Sequence, residues 1–197
     1  VSQEGLYFAK WGRVSEYTNR YINMLISSIT GFETDIVKTA NSGEHVMSIR
    51  LAEMMSYSSG YAIEPYELVY LIEEFGGMMD SDSKEIMSEG INIMQVETIN
   101  PHIHEDKGTT HIREMLKESL STVYYSRLST KSIKKSIVTE LKKLRAIKSS
   151  DEMGTIKLIP PIKNVDCYEL LRILKANSSS LQYFGSGISA QMETITV

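Results

Sequence analysis

Apolar positions along the chain fall mostly at helical spacing. Ile22, Leu25, Ile26 and Ile29 stripe a helix predicted over 15–30, with Ser15 as its N-cap and Gly31 as its stop. After a polar loop at 38–42, Ser42 is placed to cap a second helix over 43–55, with Val46, Ile49 and Ala52 on successive turns. Leu68, Val69, Ile72 and Phe75 stripe a third helix. Pro65 suits its first turn, where a missing N–H leaves nothing unpaired, and Gly76-Gly77 ends it. Ile112, Met115, Leu116, Leu120 and Val123 predict a helix over 109–128. Thr130 caps a basic helix over 131–146, striped by Ile133, Ile137, Leu141 and Leu144. Asp166 and Glu169 have capping-box spacing and open a last helix that runs to 176.

Between these helices, two segments read as strands. Tyr61-Ala62-Ile63 is a short β-prone run, and 91–99 (INIMQVETI) is apolar on both faces, as in a central strand covered on both sides. Residues 156–159 form a short extended segment before Pro160-Pro161, 78–90 are polar with room for one short helix, and the tail from 185 lacks the large apolar residues that would order it. The fold class is therefore α/β, helix-rich with few strands, and long polar connections follow the strands. In open α/β sheets ligands sit outside the carboxyl ends of strands, which directs attention to 60–64 and 100–108.

Composition narrows the function classes. A chain of 197 residues can bury a sizeable core, and 42% hydrophobic with 23% charged residues is ordinary for a globular domain. A net charge of −4 favours neither nucleic acid nor an anionic membrane. The apolar runs fall short of the ~20 residues that a membrane span needs. Cys167 is the one cysteine, so an internal disulfide and Cys-based zinc sites are excluded, and a reducing, cytoplasmic setting fits. The chain opens on Val1, and residues 1–11 read like the middle of a protein, from either a trimmed chain or a fragment of a longer product.

Four stretches can carry chemistry. Asn100-Pro101-His102-Ile103-His104-Glu105-Asp106-Lys107-Gly108 packs two imidazoles, two acids and a lysine into one loop. In extended backbone His102 and His104 point the same way, and imidazole suits transition-metal ions. Lys107 can meet a phosphate as a point charge. The same composition also suits a solvated loop. Gly12-Arg13-Val14-Ser15 places a guanidinium fork and a hydroxyl at a helix N-terminus, either as an anion pocket or as an N-cap beside a surface arginine. Tyr61 and Glu64 can hold sugar hydroxyls, or serve as a strand aromatic and a capping acid. The basic helix with Lys131, Lys134, Lys135, Lys142, Lys143 and Arg145 reads as a solvated face. His45 and His111 read as structural.

The first three of these stretches, within Tyr7 to Glu16, Gly60-Tyr61-Ala62-Ile63-Glu64-Pro65-Tyr66-Glu67 and Glu97 to Gly108 and in order with Gly43-Glu44-His45, resemble the mannosyl-3-phosphoglycerate synthases over residues 5–175. The resemblance implies the carboxy-terminal part of a GT-A-type nucleotide-sugar transferase fold. Residues 1–184 would form its acceptor-side half, with 185–197 a disordered tail and the nucleotide-binding half outside this chain. It implies transfer of mannose from GDP-mannose to 3-phosphoglycerate with retention of configuration, giving a precursor of the compatible solute mannosylglycerate. It also implies a divalent metal ion (magnesium, manganese, cobalt or zinc), no nucleic-acid or membrane partner, and room for a homodimer. Gly12, Arg13, Val14 and Ser15 match the acceptor-binding stretch, with Ser for Thr. Tyr61 and Glu64 match the tyrosine–acid pair near acceptor and sugar, with Glu64 the candidate catalytic group as a hydrogen-bonding partner of the sugar. His104 matches the metal histidine, with His102 behind it. Asp106 falls where the related glucosyl-3-phosphoglycerate synthases carry Asn, and Lys107 follows it.

One departure stands out. The family holds its metal with a D-x-D-like aspartate at a strand end, whereas Asp80-Ser81-Asp82 here lies in a polar linker. The expectation is a fragment that holds the acceptor side and one metal ligand and is inactive alone. The alternatives are a glucosyl-3-phosphoglycerate synthase-like transferase, a His-based metal-dependent hydrolase, and a non-catalytic helical module.

Overall fold

The computed structural model describes residues 13–43, 45–76, 93–95, 108–161, 163 and 166–177. Among them the architecture is helical: α1 (Arg13–Thr30), α2 (Ile49–Ala52), a 3-10 turn (Gly60–Ala62) running into α3 (Ile63–Phe75), α4 (Gly108–Tyr125), α5 (Lys131–Lys143), a second 3-10 turn (Ser150–Glu152) and α6 (Cys167–Asn177). One isolated antiparallel bridge joins Tyr57 to Ile159, the expected extended segment before Pro160. None of the described helices is long and apolar enough to cross a membrane.

The predicted stripes build the core. Ile22 and Leu25 of α1, Leu116, Leu120 and Val123 of α4, Ile133, Ile137 and Leu141 of α5 and Val69 of α3 are buried in one cluster, flanked by Ile26, Ile29, Leu68, Ile72, Ile112, Met115 and Leu144. Burial of each such aliphatic side chain contributes about 1.5–3 kcal/mol. The central element is α4, which packs against α1, α3, α5 and the Gly60–Ala62 turn.

Capping follows the sequence in two places. Thr130 Oγ1 accepts from Ile133 N–H at 3.3 Å, and Asp166 Oδ1 accepts from Glu169 N–H at 3.0 Å. At the end of α1, Gly31 takes the left-handed conformation (φ 75°) that stops a helix, and its N–H closes on Ser27 C=O at 2.9 Å.

Three expectations are corrected. Residues 61–63 form no strand: Gly60 (φ 65°) starts a 3-10 turn that continues into α3, so helix formation begins before Pro65. The 43–55 helix shrinks to Ile49–Ala52, because Ser48 rather than Ser42 supplies the cap, its hydroxyl accepting from Leu51 N–H at 3.2 Å. In α1 the helix already includes Arg13, so Ser15 lies within the first turn instead of capping it.

The described part of 91–99 is likewise not a doubly covered strand. Ile93 and Met94 are exposed, and Gln95 contributes its side chain to hydrogen bonding: Oε1 accepts from Lys38 N–H (2.6 Å) and Thr39 N–H (3.1 Å), and Nε2 donates to Ile36 C=O (2.6 Å). Amide side chains do the same work on the other side of this segment. Asn23 Nδ2 donates to Val37 C=O (2.9 Å) while its Oδ1 accepts from Val37 N–H (3.0 Å), and Asn19 bridges Lys38 C=O and Ala40 N–H (2.8 and 2.9 Å). Two asparagines one helical turn apart thus substitute for a partner strand and satisfy the backbone of 37–40. They lay the returning chain along α1 and lead it to Asn41. The D-x-D-like letters at 80–82 and the tail from 185 lie outside the described residues.

Candidate functional site

The site gathers around the first turn of α3. Gly60 turns the chain and Tyr61 follows, with Glu64 one turn on and Glu67 one turn beyond. Spacings of three bring Tyr61, Glu64 and Glu67 toward one side. Across from them stand α4 and the loop that leaves Asn41.

Three atoms of Tyr61 are held by α4. Its N–H donates to Glu118 Oε2 at 2.8 Å, its C=O accepts from the Ser119 hydroxyl at 2.9 Å, and its hydroxyl lies 3.2 Å from His111 Nδ1. The Tyr61 and His111 rings also meet edge to face, with centroids 5.2 Å apart at 89°. Asn41 Nδ2 donates to Ser119 Oγ at 2.9 Å, so the loop, α4 and the turn are linked in one relay.

Both acids are approached by the 41–45 loop. A Cβ added to Gly43 would stand 3.7 Å from Glu64 Oε1, so the loop backbone runs close to that carboxylate. His45 Nδ1 lies 3.2 Å from Glu67 Oε2. Glu67 is buried, and that burial pushes its carboxyl above the ordinary range; His45 offsets part of the rise and the nearby Glu64 adds to it. The constellation is a half-buried tyrosine and glutamate beside a buried acid that pairs with an exposed imidazole. It presents hydroxyl and carboxylate groups suited to the hydroxyls of a sugar.

Tyr61 and Glu64 stand one turn apart, on a helical turn instead of a strand end. Val14 and Ser15 sit in the first turn of α1, which packs against α4. Val14 is buried in the core, so any part it plays at an acceptor falls to its backbone. Gly12, the Arg13 side chain, His102, His104, Asp106 and Lys107 lie outside what the structure describes. Among the described residues no three His, Cys, Asp or Glu side chains converge to hold a metal ion.

Sequence reasoning missed Glu67, Glu118 and Asn41, and read His45 and His111 as structural. Glu67 follows Glu64 by one turn, a spacing that signals a shared face once the segment is taken as helix. Glu118 and Asn41 carry no local signal, since their partners are distant in sequence.

Relatives with known names support one family. Residues 1–174 match the family model described as mannosyl-3-phosphoglycerate synthase. A mannosyl-3-phosphoglycerate synthase of Pyrococcus furiosus is 46% identical over 186 residues, covering 94% of this chain and 47% of the relative. One of Aeropyrum pernix is 39% identical over 144 residues, 73% of this chain and 37% of the relative. The chain spans about half the length of the first relative and less of the second. On the match of residues 1–174 and these identities, the chain belongs to the mannosyl-3-phosphoglycerate synthase family.

Proposed function

We propose that the protein to which these residues belong transfers mannose from GDP-mannose to 3-phosphoglycerate, with retention, within a GT-A-type fold. Supporting this reading is the family match together with the Tyr61–Glu64 turn, which α4 holds by backbone and ring at once. Arg13, the Ser15 hydroxyl and the N–H groups of the first turn of α1 bind the anionic end of 3-phosphoglycerate. The Tyr61 hydroxyl and the Glu64 carboxylate bind sugar hydroxyls and fix the anomeric carbon against the acceptor 2-hydroxyl, which attacks from the leaving-group side. Positioning of this kind accounts for much of the rate. Lys107 supplies a point charge for a substrate phosphate, and Asp106 belongs to the same candidate stretch. His104, with His102 beside it, provides imidazole donors that suit a divalent ion; such an ion, when bound, neutralises the departing diphosphate.

The full-length protein carrying this sequence, given GDP-mannose and 3-phosphoglycerate, is expected to release GDP and form mannosyl-3-phosphoglycerate. Turnover with GDP-mannose and no dependence on 3-phosphoglycerate would overturn the reading.

A further inference from the structure

We propose that Glu118 is a positioning residue for the Tyr61–Glu64 turn, acting on substrate binding through Tyr61 without touching substrate itself. The inference rests on the site reading above and adds a residue to it.

His111, Glu118 and Ser119 are spaced by seven and eight residues and so share one face of α4. Each holds a different part of Tyr61, but Glu118 is the one the turn is shaped around. The turn carries no cap of its own: Ser59, which precedes the 3-10 turn, makes no side-chain cap hydrogen bond, and neither does Ala62 at the start of α3. Helix starts leave N–H groups unpaired. Glu118 reaches in from a helix 57 residues further along and takes the Tyr61 N–H at 2.8 Å. A carboxylate accepting from a backbone N–H forms a charge-assisted bond, about twice as strong as a neutral one.

Gly60 makes the room for it. Its φ of 65° favours glycine, and a Cβ there would come within 2.5 Å of Glu118 Oε2. The left-handed glycine and the distant acid therefore form one device, a cap supplied in tertiary structure. It sets the height and pitch of the turn that presents Tyr61 and Glu64.

Two measurements test the role. In the 197-residue chain, Glu118→Ala should speed hydrogen exchange at the Tyr61 amide while the amides of α5 keep their protection. In the full-length protein, Glu118→Ala should raise KM for substrate about tenfold, the worth of roughly one hydrogen bond, with a much smaller change in kcat. Glu118→Gln keeps an acceptor oxygen and should restore most of the loss. If Glu118→Ala fails to fold, Gly60→Ala disturbs the same contact from the other side and should give the same KM effect. Unchanged Tyr61 amide exchange, or wild-type KM in Glu118→Ala or its Gly60→Ala substitute, overturns the proposal. A wild-type protein that transfers no mannose sinks the functional reading instead, and the amide exchange then decides the cap alone.

Discussion

Tyr61 and His111 meet twice, once through the hydroxyl 3.2 Å from Nδ1 and once through rings set edge to face at 5.2 Å. A phenol anchored at both backbone and hydroxyl cannot swing freely, so the pair fixes where the Tyr61 oxygen stands. A double-mutant cycle measures this directly. Tyr61→Phe and His111→Ala should each cost about 1 kcal/mol of stability, with a coupling of about 0.5–1.5 kcal/mol by urea denaturation. Strictly additive effects would show the contact to be incidental.

Asn23 satisfies both backbone groups of Val37 from inside the core. Asn23→Ala leaves a buried N–H and C=O unpaired, and the expected loss is about 2–4 kcal/mol. Asn23→Asp keeps the acceptor and loses the donor, so it should fall between. Urea midpoints of the two variants should rank in that order; equal midpoints for Asn23→Ala and the wild type would remove the amide ladder from the account.

The raised carboxyl of Glu67 makes a pH prediction. Below the unfolded value of about 4.3 both states hold the proton and Glu67 carries no penalty. As pH rises through that range the unfolded chain ionises first, so burial of Glu67 progressively lowers stability. Glu67→Gln removes this dependence. Relative to the wild type the variant should gain stability between pH 4 and pH 7, as followed by thermal unfolding at both pH values. A constant difference between the two proteins at both pH values would contradict the shift.

The helices and the core were legible because their signals are local. Stripes such as Ile133, Ile137 and Leu141 repeat at the helical period, and caps such as Thr130 sit within three residues of the group they bind. The strand at 61–63 was misread because β-prone residues over three positions cannot outweigh a glycine-led turn feeding a longer helix. The described residues 93–95 depart from the expected covered strand because the Gln95 side chain, whose long-range partners leave no local signal, bonds the backbone of 36–39. In the candidate site, Tyr61 and Glu64 are candidates that a spaced motif makes legible. Glu118 and Asn41 escaped because a partner 57 or 78 residues away leaves no trace in local pattern.

The measurement that bears most directly on the central claim is mannose transfer to 3-phosphoglycerate by the full-length protein with Glu64→Gln. The substitution keeps the size of the side chain and removes the charge from the turn that α4 holds. The account predicts a loss of at least about a hundredfold in kcat/KM, roughly 2.7 kcal/mol, with thermal stability unchanged. Transfer at the wild-type rate would contradict it, because the turn of Tyr61 and Glu64 would then not be the sugar-binding side of the site.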